Sequence, residues 1–306
     1  MTLSRERVLW TAGLLAALVI SLLIFPGTLS AQDNSQGRYR PEGRVIGLEV
    51  GREFDERLYE VRTYDAQSPS EAFAGAMVFY PLTLSFDPPN GAIAFVPGYR
   101  GTPSGYEWWG PVLASVGYSV FILETNTTED GLAQRADALI AAVDFIKAEN
   151  QNPDSPVSNK IDPEKIAIMG HSIGGGATLA AASAMGTDIA AAIPLLPYCC
   201  ELGQSFEGDY SDISAPTLII ATAEDQIAPV EQHAKLLFDS VGSEKVYLEM
   251  AQGDHMMVTN SGEDKATLGR FAMAFLKVHL DGRDNLAGHV NDPGAHADKF
   301  SRYLTE

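Results

Sequence analysis

The sequence predicts an α/β protein whose mostly parallel central sheet is covered by helices on both faces. Short apolar runs such as 92–96 and 217–221 have the length of buried strands and lack polar alternation, as in parallel sheets. Segments with apolar residues at helical spacing separate these runs, which is the order expected of βαβ units. A glycine-rich turn at 170–174 also joins one apolar run directly to a helix-forming run.

The predicted elements follow one another in a regular order. Pro81 ends the first strand, and a turn sequence at 88–91 precedes the second. Strands are predicted at 76–80, 92–96, 118–123, 166–169, 190–195, 217–221 and 246–250. Helices are predicted at 108–116, 132–146, 177–182, 230–239 and 264–279. No internal repeat or second domain interrupts this order, so residues 49–306 are predicted to form a single domain with a polar, less regular tail from about residue 281.

The N-terminal segment 1–31 resembles a secretory signal. Arg5 and Arg7 precede an uncharged, mostly apolar run over 8–25, and a small-residue segment then ends at Ala31. Cleavage after Ala31 predicts a secreted or periplasmic protein. The apolar run is also just long enough to span a bilayer, so a retained membrane anchor is the alternative. The polar segment 32–48 is predicted to be a flexible linker.

The charge and the cysteines exclude several classes of protein. The formal net charge is −19 at neutral pH, which argues against nucleic acids and anionic membrane surfaces as partners and suits neutral or esterified substrates. Cys199 and Cys200, the only two cysteines, are adjacent and cannot cross-link distant parts of the fold. We expect two free thiols there, so that stability comes mainly from the hydrophobic core.

The most informative motif is the sequence Gly-His-Ser-Ile-Gly at 170–174, which has the form G-x-S-x-G. It follows the apolar run 166–169 and precedes the small-residue run 177–182, which is the strand–turn–helix context of a nucleophile elbow. Glycine on either side of Ser172 permits a sharp turn and a close approach of strand to helix. Ser172 is therefore predicted to be a catalytic nucleophile, and a purely structural turn is the alternative.

An acid and a histidine complete the predicted triad. In an α/β-hydrolase they follow the serine in chain order, each in a loop after a strand. Asp225 occupies such a loop, with Glu224 as its nearest rival, and His255 occupies the next one. The other histidines outside the elbow lie in predicted helices or in the tail: His233, His279, His289 and His296. We predict that His255 takes the proton of Ser172 and that Asp225 orients the imidazole.

Acyl transfer also needs two N–H donors for the developing oxyanion. One is expected from the backbone of Ile173 and the other from the glycine-containing loop 96–101, for which an ordinary turn is the alternative. His171 is expected to line the site rather than to act as the base. Neither a metal-binding pattern nor a phosphate- or dinucleotide-binding motif is present, so the predicted reaction needs no metal and no cofactor.

These motifs resemble those of bacterial cutinases and polyester hydrolases of the α/β-hydrolase superfamily, a group that includes poly(ethylene terephthalate) (PET) hydrolases. The resemblance runs from about residue 59 to about residue 280. The matching segments are Pro-Gly-Tyr at 97–99, Trp-Trp-Gly-Pro at 108–111, Thr-Asn-Thr-Thr at 125–128, Met-Gly-His-Ser at 169–172, Pro-Thr-Leu-Ile at 216–219 and Asp-Gln-Ile-Ala-Pro at 225–229. The resemblance implies an α/β-hydrolase fold without a lid domain.

The resemblance also implies the parts of a shallow substrate groove. The backbone N–H groups of Tyr99 and Ile173 would form the oxyanion hole, and the Tyr99 ring would pack against the substrate. Tyr198 stands where the family usually has a tryptophan and would line one wall. Ile227 would line the opposite wall, and Met256 would contribute to the rim.

The sequence is thus expected to encode an exported, monomeric serine esterase of cutinase type. Its expected substrates are short- to medium-chain esters and polyesters such as cutin or PET, and no nucleic acid or stable membrane partner is expected once the signal is removed. A lipase or acylglycerol esterase of the same fold is the nearer alternative. A non-catalytic binding protein, anchored to the envelope through residues 8–25, is the other.

Overall fold

The computed structural model describes residues 41–83, 89–206 and 208–306, which belong to one compact unit. The predicted signal at 1–31 and the first part of the predicted linker lie outside the described residues. In the part of the chain that is described, no helix combines the length and the apolarity needed to cross a membrane.

A single sheet of nine strands forms the centre of the described structure, in the order β1-β2-β4-β3-β5-β6-β7-β8-β9. The strands are β1 (Val61–Gln67), β2 (Gly75–Pro81), β3 (Asn90–Val96), β4 (Ser119–Glu124), β5 (Ile161–His171), β6 (Ala191–Leu195), β7 (Thr217–Thr222), β8 (Lys245–Met250) and β9 (Phe300–Thr305). The six strands from β4 to β8 are parallel, whereas β1, β2 and β9 pair antiparallel with their neighbours. The predicted mostly parallel sheet is confirmed.

Helices cover both faces of this sheet. They are α1 (Pro41–Glu53), α2 (Trp109–Ala114), α3 (Leu132–Gln151), α4 (Ile173–Met185), α5 (Ala234–Ser240), α6 (Lys265–His279) and α7 (Ala287–Asn291). Alternate residues of strand β3 face the two helical layers on opposite sides of the sheet. Ile93 and Phe95 pack with α1, α2 and α6, whereas Ala92 and Ala94 pack with α3, α4 and α5. The loops that contain the predicted catalytic residues all follow the carboxyl ends of parallel strands.

The tail contains regular structure that the sequence analysis did not predict. Strand β9 pairs with β8 and closes one edge of the sheet, so the expectation of a less regular tail from residue 281 is wrong. Its sequence, Phe-Ser-Arg-Tyr-Leu-Thr, has no continuous apolar run, because an edge strand keeps much of its surface in water. The opposite edge strand β1 was missed for the same reason.

The predicted linker is also partly wrong, because residues 41–48 lie in helix α1. This helix buries Ile46 and Val50 against the core, and its charged residues pair with α6: Glu42 with Lys265 at 3.2 Å and Glu53 with Arg270 at 2.7 Å. Glycines and charges dominate its sequence, so its two buried side chains were too few to show a helical pattern.

Helix α1 approaches α2 through glycine, and this contact can be tested. A Cβ atom at Gly47 would lie 2.2 Å from Ser115 Oγ and 2.7 Å from the carbonyl oxygen of Val112. We expect Gly47→Ala to lower the free energy of unfolding by about 1–3 kcal/mol, although alanine is the better helix former. Urea denaturation measures the effect. Gly288→Ala is the control, because a Cβ there meets nothing within 4 Å, and equal effects of the two substitutions would contradict this account of the α1 contact.

Candidate active site

Ser172 lies on a sharp turn between β5 and α4. Its backbone angles are φ 58° and ψ −125°, in a region that side chains rarely adopt. Four backbone hydrogen bonds hold this conformation. The Ser172 N–H donates to the Leu195 carbonyl at 3.0 Å, and the Ser172 carbonyl accepts from the N–H groups of Gly175, Gly176 and Tyr198. The strain is therefore held by the surrounding backbone, as a nucleophile elbow requires.

The two glycines of the motif are needed for close packing. A Cβ at Gly170 would lie 2.2 Å from the carbonyl oxygen of Gly174. A Cβ at Gly174 would lie 2.6 Å from the carbonyl oxygen of Pro97, in the loop after β3. Only glycine lets β5, α4 and this loop meet at such distances, and Ser172 itself carries the positive φ.

The three predicted triad residues are hydrogen-bonded in a continuous chain. His255 Nε2 lies 2.8 Å from Ser172 Oγ, and His255 Nδ1 lies 2.7 Å from Asp225 Oδ2. Asp225 follows β7 and His255 follows β8, and all three side chains are at least nine-tenths buried. The structure thus brings together the serine, the acid and the histidine that the sequence analysis selected.

Asp225 is held as an anion. Its Oδ1 accepts from the backbone N–H groups of Ile227 at 2.9 Å and Ala228 at 2.8 Å. Burial raises the pKa of Asp225, but these hydrogen bonds and the one from His255 outweigh it, so the net pKa is lowered. An ionised Asp225 accepts a hydrogen bond from the Nδ1–H of His255, and this tautomer leaves the Nε2 lone pair facing the Ser172 hydroxyl. This arrangement can remove the serine proton during attack on a carbonyl carbon.

The predicted oxyanion donors lie on either side of Ser172. Ile173 is the first residue of α4, so its N–H has no partner within the helix. In the loop after β3, the N–H of Gly98 donates to the Tyr106 hydroxyl, and that of Arg100 donates to the Thr128 carbonyl. The hydrogen bonds of the described residues include none from the intervening N–H of Tyr99. The structure thus records no protein partner for the Tyr99 N–H among the described residues, and that of Ile173 is at the start of α4.

Arg135 is a residue of the site that the sequence analysis missed. It is fully buried on α3, and its guanidinium donates to three backbone carbonyls, those of Pro97, Thr128 and Asp130, each at 2.9 Å. It thereby fastens the loop after β3 to the loop after β4. An arginine on the apolar stripe of a predicted helix was the signal that could have found it, since a buried charge needs several partners.

Two tryptophans position the loop that carries His255. The indole N–H groups of Trp108 and Trp109 both donate to the Val258 carbonyl, at 2.9 and 3.0 Å. On the other side of the loop, the Thr222 hydroxyl donates to the Gly253 carbonyl at 2.9 Å. The Trp-Trp motif thus holds the histidine loop, and it does so from inside the core.

Three of the predicted groove residues have exposed apolar side chains. Tyr99, Ile227 and Met256 are 39%, 58% and 43% exposed, respectively. All three lie in loops that follow the carboxyl ends of sheet strands. Tyr198 is half-buried, and its ring packs on that of His233 with 4.2 Å between the centroids. Ile227 lies two residues after Asp225 in the chain, and Met256 directly follows His255.

His171 does not occupy the place expected of it. Its side chain is 2% exposed, and both ring nitrogens contact protein groups, the Tyr106 hydroxyl and the His255 carbonyl. The expectation that His171 lines the substrate groove is therefore wrong: the turn at Ser172 directs the preceding side chain inward, beneath the histidine loop.

The expectation of two free thiols is also wrong. Cys199 and Cys200 form a disulfide bond in the structure, and both are buried. The Cys199 N–H donates to His233 Nδ1 at 3.2 Å, so the pair lies directly beside the Tyr198 wall. Among the described residues, no group of histidine, cysteine or carboxylate side chains is arranged to hold a metal ion.

The neutral state of His171 predicts a pH dependence of stability. Burial and the neighbouring His255 lower the pKa of His171 from 6.5 to about 3. Between these values the unfolded chain binds a proton that the folded protein does not, so this contribution to stability is complete above pH 6.5 and is lost as the pH falls towards 3.

We therefore expect His171→Gln to make the free energy of unfolding fall less steeply with acid. The difference in slope should approach one proton, about 1.4 kcal/mol per pH unit. Urea denaturation of both proteins between pH 4 and 7 measures it. Because Asp225 is present in both, its own acid sensitivity cancels, and identical slopes would contradict a neutral, buried His171.

Comparisons with known proteins identify the family of this chain. The family described as "PETase: PET hydrolase-like" matches residues 53–303. A Thermobifida alba protein named cutinase est1 is 39% identical over 216 residues, which cover 69% of this chain and 67% of that protein. A Thermobifida fusca protein named cutinase cut1 is 34% identical over 237 residues, which cover 73% of this chain and 69% of that protein.

A third relative extends the alignment further. A Streptomyces coelicolor protein named bis(hydroxyethyl) terephthalate hydrolase is 32% identical over 274 residues, which cover 89% of this chain and 81% of that protein. The family match begins within α1 and ends within β9, so it includes all the elements that carry the candidate site. On this evidence, the chain belongs to the PET hydrolase-like family of α/β-hydrolases.

Proposed function

We propose that this protein is a secreted carboxylic-ester hydrolase of cutinase type, which cleaves esters and polyesters through an acyl-enzyme on Ser172. The observation that carries the proposal is the continuous chain of hydrogen bonds from Ser172 through His255 to Asp225 at the strand ends. Family membership and the names of the relatives support the same reaction class.

Acylation begins with the Ser172 hydroxyl. As Ser172 Oγ attacks the ester carbonyl carbon, its proton passes to Nε2 of His255, and the ionised Asp225 stabilises the imidazolium that forms. The carbonyl oxygen becomes an oxyanion and accepts hydrogen bonds from the N–H groups of Tyr99 and Ile173. His255 then protonates the leaving alcohol, which departs and leaves an acyl ester on Ser172.

Deacylation repeats these steps with water. His255 takes a proton from the water molecule that attacks the acyl carbonyl, and the same two N–H groups stabilise the second oxyanion. When this intermediate collapses, the proton on His255 returns to Ser172 Oγ, and the carboxylic acid leaves. No step needs a metal ion or a cofactor.

The surroundings of Ser172 support a polymeric substrate. Tyr99, Ile227 and Met256 are exposed apolar side chains in the same loops as the proposed oxyanion donor, acid and base, where they suit an extended aliphatic or aromatic chain better than a small polar ester. Tyr198, packed on His233, adds a second aromatic ring. We propose short- to medium-chain esters and polyesters such as cutin or PET as substrates.

The same proposal includes the place of action and the oligomeric state. The signal-like segment 1–31 supports export, and the Cys199–Cys200 disulfide is compatible with an oxidising compartment. We propose that the mature protein acts as a monomer outside the cytoplasm, without a membrane partner once the signal is removed.

The nucleophile is tested by Ser172→Ala. We expect hydrolysis of p-nitrophenyl butyrate to fall by at least about 10⁴-fold, because the alternative of direct water attack lacks the acyl-enzyme step. Labelling by a fluorophosphonate probe should disappear in parallel. Ser183→Ala is the matched control, since this serine lies on the same helix and bonds to Asp212 away from the site. Turnover by a pure Ser172→Ala preparation would refute the proposal.

The polymer groove is tested by Ile227→Ser. We expect release of soluble products from PET film to fall by about fivefold, because the substitution removes apolar contact area with the chain, while p-nitrophenyl acetate turnover changes by less than about twofold. Leu236→Ser is the control, because Leu236 is a similarly exposed apolar residue on α5. Equal losses on both substrates would contradict a binding role for Ile227, and faster turnover of emulsified long-chain triglyceride than of polyester would favour a lipase.

A further inference from the structure

A buried chain of hydrogen bonds runs beneath the nucleophile from the oxyanion loop to the histidine loop. The Gly98 N–H donates to Tyr106 Oη at 3.1 Å, Tyr106 Oη lies 2.8 Å from His171 Nδ1, and His171 Nε2 lies 2.8 Å from the His255 carbonyl oxygen. Tyr106 and His171 are each 2% exposed. Neither side chain has a part in the acyl-transfer steps described above.

The direction of every proton in this chain follows from its ends. The His255 carbonyl can only accept, so His171 carries its proton on Nε2. His171 is neutral because burial and His255 hold its pKa at about 3, so Nδ1 has a lone pair and accepts from the Tyr106 hydroxyl. Burial raises the pKa of Tyr106 to about 12, so the hydroxyl keeps its proton and its oxygen accepts from the Gly98 N–H.

At the oxyanion end, the chain fixes one peptide group from two sides. In the peptide between Pro97 and Gly98, the N–H donates to the Tyr106 hydroxyl oxygen. The carbonyl of the same peptide accepts from the guanidinium of Arg135 at 2.9 Å. Only the two backbone angles of Gly98 separate this peptide plane from the next N–H, which belongs to Tyr99. On the other side of Tyr99, the N–H of Arg100 donates to the Thr128 carbonyl at 2.7 Å, so the Tyr99 N–H lies between two restrained peptides. The loop also packs closely on the elbow, since a Cβ at Gly98 would lie 3.0 Å from both His171 Nδ1 and Ser172 Cβ.

At the other end, the chain holds the backbone of His255. The imidazole of His171 packs beside that of His255, with 4.8 Å between the ring centroids, and its N–H restrains the carbonyl of the same residue. The triad bonds to Ser172 and Asp225 position the His255 side chain, and His171 positions its backbone. One buried pair of side chains therefore contacts both the oxyanion loop and the histidine loop.

We propose that Tyr106 and His171 are positioning residues, which hold the Tyr99 N–H donor and the His255 base in their places relative to Ser172. This inference rests on the proposed function, because it assigns these two roles to Tyr99 and His255. Tyr106 and His171 act through other residues and touch no substrate. Their loss should therefore reduce stabilisation of the transition state and leave ground-state binding of a short ester nearly unchanged.

The first test is Tyr106→Phe, which removes one hydroxyl and keeps the ring that packs on Phe95. We expect kcat for p-nitrophenyl butyrate to fall about tenfold and KM to change by less than about twofold, because the oxyanion donor and the base lose alignment. Affinity for phenylboronic acid, whose tetrahedral adduct with serine places an oxygen in the oxyanion hole, should fall by a similar factor. A purely structural role would lower the melting temperature without this split between kcat and KM.

The second test uses His171→Leu and the double variant. Leucine has neither an acceptor for the Tyr106 hydroxyl nor a donor for the His255 carbonyl, so it breaks the same chain at its next link. Because both residues act through one chain, the double variant should lose no more kcat than the worse single variant, whereas independent roles would multiply the two losses. Tyr118→Phe is the matched control: it removes an equally buried hydroxyl that donates to Asp281, outside the catalytic loops.

The outcomes separate this inference from the proposed function. Turnover by Ser172→Ala would refute the proposed function, whatever Tyr106 does. If Ser172→Ala is inactive but Tyr106→Phe keeps its kcat and boronate affinity to within about twofold, the positioning role is overturned and the esterase assignment stands. If Tyr106→Phe does not fold, His171→Leu is judged by the same two criteria.

Discussion

The close approach of β5, α4 and the loop after β3 at Ser172 is the constraint on which the rest of the site depends. A strained serine backbone persists only because four backbone hydrogen bonds hold it and because Gly170 and Gly174 leave room for neighbouring carbonyls. This packing places the Ser172 hydroxyl at the carboxyl ends of the parallel strands. The loops that carry Asp225, His255 and Tyr99 follow those same ends, so a small displacement of the elbow would change its position relative to all three.

Buried polar groups, rather than the triad itself, hold these loops in position. Arg135 fastens the loop after β3, the indoles of Trp108 and Trp109 hold the histidine loop at Val258, and Tyr106 with His171 joins the two. Each of these groups is hydrogen-bonded to backbone or to neutral side chains, and the buried guanidinium of Arg135 is satisfied by three carbonyls, so the loops are held by polar groups that have partners.

Sequence patterns predicted the elements whose burial is continuous and missed those at the edges. The parallel strands were found because both of their faces are buried, whereas β1 and β9 carry mixed polar sequences that resemble loops. Helix α1 was taken for a linker, since glycines and charged residues outnumber the side chains that it buries. Cys199 and Cys200 were expected to be free thiols but form a disulfide bond. The sequence alone does not specify which groups surround these two side chains in the fold.

The sequence by itself determined the elbow, the order of serine, acid and histidine, and the family, because each depends on residue type at a strand end. Only the tertiary structure decided what positions them. His171 was expected in the groove and lies beneath it, and Tyr106 and Arg135 had no visible role until the loops were in place. The physical reason is that a buried hydrogen bond between residues tens of positions apart leaves no periodic trace in the chain, whereas a turn that only glycine permits leaves a local one.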